Sequence, residues 1–290
     1  MALTTALNMT INGMLSTELK TSLSSQNIAN ADKAGYTRKS LNTEYITTNT
    51  GSVPVSGVVV GASDPFLIKA LIDDISTYFK DLSISNSLDY YSTQLGNTDG
   101  SNTLSSYIND LYANLKYLAT SPETSANKAE VVSTAVNLTN SLRDLSGDIQ
   151  ALRLEAERNV ARSIDDINAA LDRIDLLNDK ISQSPNNDAS LAEYEDQRSL
   201  ELQKISEILN IQYFYTSENR LQIYTSAGQA LLLSDPHKID YTVTNVVNGA
   251  TLYPAGFSTI DLDGVDLTTS LRGGKLSAFV ELRDSIYVGE

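Results

Sequence analysis

The amino-acid sequence predicts a mainly α-helical fold with a smaller β part, in which a rod-like bundle of long helices carries β-hairpins. Three observations indicate this class. An amphipathic stripe opens the chain, a proline-free stretch with helical periodicity runs between Pro122 and Pro185, and short strand-like runs follow Asn210. Because the first helix has no apolar partner nearby in the sequence, we expect it to be disordered alone or to assemble with other subunits.

The first predicted helix has its leucine and isoleucine residues at spacings of three and four, which places them on one face. The helical pattern fades at residues 24–27, where polar residues follow one another, and Gly35 marks a turn. Residues 37–62 are predicted to be extended, because they combine β-branched residues with Gly and Pro breaks. The apolar stripe of this helix consists of Leu3, Leu7, Ile11, Leu15 and Leu19.

The second helix is predicted to begin at Asp64 and Pro65, because Asp is a good N-cap and Pro suits the first helical position. Its apolar seam continues to about residue 95. Residues 96–101 are rich in Gly and Asn and are predicted to form a loop. A shorter helix with leucines at helical spacing follows, over residues 104–118.

The same start signal at Ser121 and Pro122 opens the longest predicted helix, in which Gly147 is the one interruption before Pro185. Its apolar residues alternate by four and three from Leu138 to Ile181, as in a coiled-coil seam, and form the predicted rod core. A continuous helix of about 60 residues spans roughly 90 Å. Such a helix has to pack against other helices, and residues 188–209 supply one candidate partner.

Residues 211–270 are predicted to form a β-hairpin region, because β-branched and aromatic residues alternate there with turn residues. A last helix is predicted from Gly274 onward, and no C-terminal cap closes it. We therefore expect the chain to be the front portion of a longer protein. The predicted strands lie at residues 211–215, 221–224 and 230–233, and within 239–262.

Charge divides the chain into two parts. The net charge is −15 at neutral pH, whereas residues 1–63 contain four basic and three acidic residues and so carry +1, which leaves −16 for residues 64–290. We predict an N-terminal helix with an extended arm over residues 1–63, and a long-helix bundle with the β-hairpin region over residues 64–290. The acidic balance argues against nucleic acid as a partner, since that mode of binding needs clustered Lys and Arg.

Several kinds of chemistry are excluded by composition. The chain has no Cys and a single His, His237, so it cannot form a disulfide, a thiolate zinc site or a two-His metal centre. The acidic run 261–266 has its Gly at the wrong position for a calcium loop, and residues 273–277 lack the first glycine of a phosphate loop. We predict no enzyme activity, no catalytic residue, no cofactor and no metal.

The sequence also gives expectations about membranes and export. No run of about 18 apolar residues occurs, so we predict no membrane insertion. The N-terminus lacks the basic region and the long apolar segment of a cleaved signal peptide. Secretion by another route stays open at this point.

One motif stands out over residues 25–38, which read SQNIANADKAGYTR. It ends an amphipathic helix with side-chain amides, allows a turn at a glycine, and then leads an aromatic residue and an arginine into an extended segment. The motif resembles the S-x-N-I-A-N and G-Y-x-R signature of bacterial flagellar rod, hook and hook-associated proteins. The resemblance implies subunit-assembly roles for Asn27, Asn30, Gly35, Tyr36 and Arg38 beside the apolar stripe.

Further segments are similar to the hook-associated protein 1 family, among them Val58–Gly61 before Asp64-Pro65, and the helix that begins near Glu195-Asp196-Gln197-Arg198. This resemblance implies an extracellular structural component of the flagellum that joins hook to filament. Its implied partners are further copies of itself in a helical or ring assembly, the hook protein, the second hook–filament junction protein and the flagellar type III export apparatus. It also implies that the N-terminal helix lines an inner tube and that export needs no cleaved signal.

Two alternatives remain open from the sequence. One is another flagellar axial protein, such as the second junction protein, hook protein or flagellin. The other is an adhesin-like surface protein with an aromatic platform, although core and strand packing explains the same tyrosines more simply. The platform would consist of Tyr213, Tyr215, Tyr224 and Tyr241.

Overall fold

The computed structural model describes residues 2–33, 35–48, 51–61, 64–95, 103–184 and 189–289. Its helices are α1 (Ala2–Ala29), α2 (Pro65–Leu95), α3 (Leu104–Thr120), α4 (Ser125–Gln183), α5 (Ala189–Ile208), α6 (Gly274–Glu281) and α7 (Tyr287–Gly289), and a π-helical segment (Leu282–Ile286) joins the last two. The strands are β1 (Lys39–Thr48), β2 (Gly51–Gly61), β3 (Ile211–Tyr215), β4 (Leu221–Thr225), β5 (Ala230–Leu232), β6 (Ile239–Asp240), β7 (Asp261–Leu262) and β8 (Val265–Asp266). This mainly α architecture with small antiparallel sheets confirms the predicted fold class.

The helix starts follow local capping chemistry. Asp64 accepts hydrogen bonds from the backbone N–H groups of Phe66 and Leu67, at 2.9 and 3.4 Å, so it caps α2 as predicted. Thr103 and Ser106 form a reciprocal capping box at the start of α3. The predicted loop at 96–101 lies outside the described residues.

The longest helix, α4, is continuous over 59 residues, which is about 90 Å by its rise per residue. It begins at Ser125, four residues after the start signal, and Gly147 does not interrupt it. An added Cβ at Gly147 would meet nothing within 4 Å, so this glycine occupies open space on the helix surface. The prediction of a long rod helix is therefore correct.

The core forms around the C-terminal part of α4. Buried residues of α4 pack there against α5, the sheets and α6, and Ile167, Leu171 and Ile174 have no measurable exposure. The predicted rod core from Leu138 to Ile181 is too long, however. Leu142 is 48% exposed, because α3 alone covers that part of α4 and no residue of α3 is itself buried. The core proper begins near Ala156.

Two asparagines of α4 fix the two three-stranded sheets. Asn178 donates to the carbonyl of Leu221 at 3.0 Å and accepts from its N–H at 2.9 Å, at the first residue of β4. Asn168 does the same to Ile239 at the first residue of β6, at 2.9 Å in both directions. Each side-chain amide thus takes the place of a neighbouring strand. The sheet orders are β3-β4-β5 and β6-β7-β8, antiparallel throughout.

A buried polar cluster joins the last helical segment to α4. The guanidinium of Arg283 donates to Glu157 at 2.6 Å and to the hydroxyl of Tyr241 at 2.8 Å, and neither charged side chain has any exposure. Tyr241 in turn donates to Glu157 at 2.6 Å. Burial is the main cause that raises the pKa of Tyr241, and the neighbouring carboxylate of Glu157 adds to the rise. A second buried arginine, Arg153, donates to the backbone carbonyl of Arg283 at 3.0 Å.

We expect Arg283→Met to destabilise the chain by about 3–5 kcal/mol, because it leaves the carboxylate of Glu157 buried without a cation. Urea unfolding followed by circular dichroism measures this free energy. The matched control is Arg162→Met, since the ion pair of Arg162 with Glu155 is exposed (64% and 54%) and such pairs contribute at most about 1 kcal/mol. Equal losses in the two variants would contradict the assignment of stability to the buried cluster.

Candidate functional site

The site predicted from sequence lies in the N-terminal arm, which we define as α1, the turn after it, and the β1–β2 hairpin. The arm rests on one face of α5, where Ala192, Asp196 and Leu200 follow one another at helical spacing of four residues. Each of these three residues meets a different part of the arm.

Asp196 makes the polar contacts between the arm and α5. It accepts a hydrogen bond from the side chain of Lys39 at 2.6 Å and from the backbone N–H of Thr37 at 3.3 Å, and the Thr37 hydroxyl also donates to it. The side chains of Lys39 and Asp196 are 1% and 11% exposed, so this ion pair is withdrawn from water. Because alternate residues of an extended segment point to opposite sides, Thr37 and Lys39 face α5 while Arg38 faces solvent.

Asn27 closes the turn within the arm. Its amide donates to the carbonyl of Lys39 at 2.8 Å, and its oxygen accepts from the N–H of Lys39 at 2.8 Å and from the hydroxyl of Tyr36 at 3.0 Å. The Lys39 ammonium lies 3.9 Å from the centre of the Tyr36 ring. Burial, with the nearby carboxylates of Asp196 and Glu193, raises the pKa of Tyr36. One asparagine therefore joins the end of α1 to the start of β1.

Gly35 allows the arm to approach α5 closely. Its φ is +73°, in the region that L side chains rarely adopt, and a Cβ added there would lie 2.2 Å from Cδ2 of Leu200. The backbone conformation therefore favours glycine, and a larger residue would also displace the side chain of Leu200.

A small apolar cluster completes the contact. Leu23 of α1 and Val59 of β2 are each 2% exposed and pack with Ala192 of α5, and the partly buried Leu19 and Leu41 join them. Helix α1 extends to Ala29, beyond the predicted fading at residues 24–27, and the hydrogen bonds of Asn27 to Tyr36 and Lys39 hold this last part in place.

The structure separates the ten predicted assembly residues into two groups. Asn27, Gly35 and Tyr36 hold the arm together, whereas the side chain of Asn30 donates back to the carbonyl of Gln26 at the end of α1, and Arg38 is exposed. Leu19 is half-buried and packs against the cluster of Leu23, Val59 and Ala192. The other stripe residues are exposed on α1: Leu3 (85%), Leu7 (58%), Ile11 (45%) and Leu15 (58%).

Sequence reasoning missed Thr37, Lys39 and Asp196 as members of this site. The contact from Lys39 to Asp196 spans 157 positions, so no local pattern reports it. The Glu195-Asp196-Gln197-Arg198 segment was the available signal. Each of its charged residues is used: Glu195 accepts from Asn219 at 2.8 Å, and Arg198 donates to Asn178 at 3.0 Å and to the carbonyl of Asn219 at 2.6 Å.

Arg198 is nearly inaccessible, and its surroundings are largely neutral. Burial lowers the pKa of Arg198, and Tyr215 and Glu195 act in the opposite direction. The ring of Tyr215 lies 5.0 Å from the guanidinium carbon. The segment therefore connects the arm, the long helix and the first sheet.

The remaining candidates show no arrangement for chemistry in the described residues. His237 contacts Asp263 at 2.5 Å on the surface, and residues 261–266 form the β7–β8 turn with positive φ at Asp263 and Gly264. No group of three or more His, Cys, Asp or Glu side chains in the described part of the chain could hold a metal ion. Among the helices that the structure describes, none is long and apolar enough to cross a membrane.

The tyrosines do not form one platform. Tyr213 and Tyr215 contact each other edge to face, whereas Tyr224 contacts Phe214 on the other side of the strand pair. Tyr241 belongs to the buried cluster with Glu157. The aromatic surface proposed for an adhesin is therefore absent from these four residues.

Comparison with known proteins assigns the fold. Residues 93–289 match the family described as the flagellar hook-associated protein FlgK helical domain. The chain belongs to the FlgK family. The family resemblance drawn from the sequence is thus confirmed, and the chain is a flagellar hook-associated structural protein of a family not known for enzyme activity.

A solved structure also resembles this chain: the flagellar hook junction protein FlgK from Burkholderia pseudomallei, with a TM-score of 0.59 and 18% sequence identity. The similarity covers 75% of this chain and 38% of that chain, so the matched part of this chain spans about two fifths of the length of the Burkholderia FlgK. A comparison with curated protein sequences finds no match. The arm lies before the stretch that matches the FlgK helical domain.

We expect Gly35→Ala to weaken the contact between arm and α5 by more than about 1 kcal/mol, because it adds both backbone strain and overlap with Leu200. Hydrogen exchange of the Thr37 amide, which donates to Asp196 of α5, measures this loss. Gly13→Ala is the matched control: its Cβ meets nothing within 4 Å, and alanine favours a helix interior by about 0.5–1 kcal/mol. Equal protection in both variants would show that Gly35 has no special role.

Proposed function

We propose that this chain joins the flagellar hook to the filament by axial stacking of its subunits. The exposed stripe of α1 carries the proposal. Leu3, Leu7, Ile11 and Leu15 lie on one face of a helix and are between 45% and 85% exposed. An apolar stripe of this length on a helix indicates packing against other chains, since an isolated helix gains little stability on its own.

The two ends of α1 have different surroundings. Its C-terminal end packs against Val59 of β2 and Ala192 of α5 through Leu23, which is 2% exposed, while the first four stripe residues are exposed in the described structure. This arrangement supports a helix whose direction is fixed by contacts within its own subunit and whose apolar stripe is buried by neighbouring subunits. The neighbours are further copies of this chain in a helical or ring assembly, and the helices together form the inner tube.

Arg38 and Asn30 are the polar residues of the motif that we assign to contacts between subunits. Arg38 is exposed and faces away from Asp196, and Asn30 is half-buried in the turn directly after α1. Asn27, Gly35 and Tyr36 act indirectly, since they fix the direction of α1 relative to β1. We accordingly assign residues 1–63 to assembly with other subunits and residues 64–290 to the support of that part.

The wider context of the proposal is the extracellular flagellum. The partners are the hook protein on one side and the second hook–filament junction protein on the other, and the flagellar type III apparatus exports the chain without cleavage of a signal. The absence of Cys from the sequence supports this route, because no disulfide has to form after passage through a narrow channel.

We expect Ile11→Asp to abolish swarming motility in the parent bacterium when introduced into the full gene, because a charge in the stripe opposes burial between subunits. Ala6→Asp is the matched control, since residue 6 is exposed and lies more than 90° away around the same helix. Electron microscopy should show hooks without filaments for the first variant and normal filaments for the second.

Two further measurements complete this test. The variant protein in the culture medium reports export separately from assembly, and immunogold labelling of the unaltered protein should mark the boundary between hook and filament. Normal swarming of the Ile11→Asp strain, or label along the filament shaft, would contradict the proposed junction role.

A further inference from the structure

We propose that the contact between the arm and α5 is a releasable joint, which the Lys39–Asp196 ion pair holds in one docked geometry and which lets α1 take a second orientation. The use of such a joint rests on the proposed function. A subunit between hook and filament contacts two different structures, so its terminal helix has to take a different direction towards each. Its physical basis lies in the contact itself.

The contact is incompletely packed. A cavity of about 370 Å³ lies between the arm and the rest of the chain, lined on one side by Thr37 and β2 residues 58–61 and on the other by α5 residues such as Glu195 and Ser199. This cavity is partly open to solvent, so the two sides do not pack closely along it and lack the dispersion contacts of a close-packed interior. Separation of the arm therefore breaks fewer apolar contacts than separation of a core element.

The arm and the body contribute unequally to the apolar part of the contact. Leu23 and Val59, the two large buried side chains of the cluster, both belong to the arm, and the body contributes the methyl group of Ala192. Outside the cluster, Leu200 lies beside Gly35 and Leu191 lines the cavity. On release, Leu23 and Val59 stay packed against each other. The apolar surface of the body that becomes exposed belongs to a few side chains, so less hydrophobic free energy opposes release than opposes the separation of a core element.

The polar part of the contact favours a switch between two states. Burial of an ion pair costs about as much desolvation free energy as its attraction returns, so the Lys39–Asp196 pair adds specificity more than stability. In the released state water solvates both charges, so neither carries a desolvation cost. In the docked state each charge needs the other, because a buried charge without its partner is strongly unfavourable.

The arm can move as one unit because its internal bonds do not involve α5. The three hydrogen bonds of Asn27 join α1, the turn and β1 inside the arm. The ammonium of Lys39 lies over the Tyr36 ring at 3.9 Å, also within the arm, so it retains one favourable contact when Asp196 is lost. Release therefore changes the direction of α1 without unfolding it.

Distance measurement between two spin labels tests the joint in the isolated 290-residue chain. The sequence has no native Cys, so Ser24→Cys on α1 and Ser217→Cys in the β3–β4 turn, both at exposed positions, give two unique labels. We expect the parent chain to show a main docked distance and a minor longer one. Asp196→Asn should raise the ratio of released to docked molecules at least about tenfold, because it leaves Lys39 uncompensated when docked.

Two variants control the experiment. Glu201→Gln removes another ion-paired carboxylate of α5, one that contacts Arg173 and Lys204 rather than the arm, and should leave the distances unchanged. The double variant with Lys39→Met and Asp196→Asn leaves no buried charge without a partner, keeps an acceptor for Thr37, and should return to the docked distance.

Each outcome of these distance measurements either supports the joint or contradicts it. A shift in Asp196→Asn that the double variant reverses supports the joint. Unchanged distances in Asp196→Asn overturn it, since the arm would then be held by apolar packing alone, and a double variant that stays released overturns it as well. Because these distances are measured without assembly, their failure leaves the swarming result for Ile11→Asp unaffected, and the reverse also holds.

Discussion

The rest of the fold depends on one constraint: a helix of 59 residues has to bury one face along most of its length. Helix α4 meets this constraint with different partners at successive levels. Helix α3 covers its first third, the polar cluster at Glu157 and Arg153 fixes its middle, and the apolar core encloses its last third. The sheets are small because they only complete this cover, and Asn168 and Asn178 determine where their strands begin.

The polar groups inside the molecule have two kinds of consequence. Around Glu157 every donor and acceptor has a partner within a closed core, so the cluster fixes the last helical segment in place. Around Asp196 the same chemistry lies beside a cavity and at the edge of a small contact. Similar ion pairs therefore produce a rigid connection at Glu157 and an adjustable one at Asp196, because the surrounding side chains pack closely only at Glu157.

The sequence was informative where the cause of structure is local. Asp64 and Pro65 marked the start of α2, the proline-free stretch marked α4, and the motif around Asn27 and Gly35 marked the turn of the arm. It was not informative where charges replace apolar residues in the core. Arg153 and Glu157 occupy buried positions of the α4 seam, yet partners 126 and 130 positions away decide whether a charge there is buried. The acceptor of Lys39 was hidden for the same reason.

The uneven cover of α4 has a consequence for how the molecule comes apart. No residue of α3 is buried, and Leu142 and Val132 of α4 are 48% and 63% exposed, whereas Ile167, Leu171 and Ile174 are fully enclosed. Opening free energy therefore rises along a single helix, from the α3 end towards the core. The local stability of α4 is therefore low at its α3 end and high in the core, although the backbone of the helix is continuous.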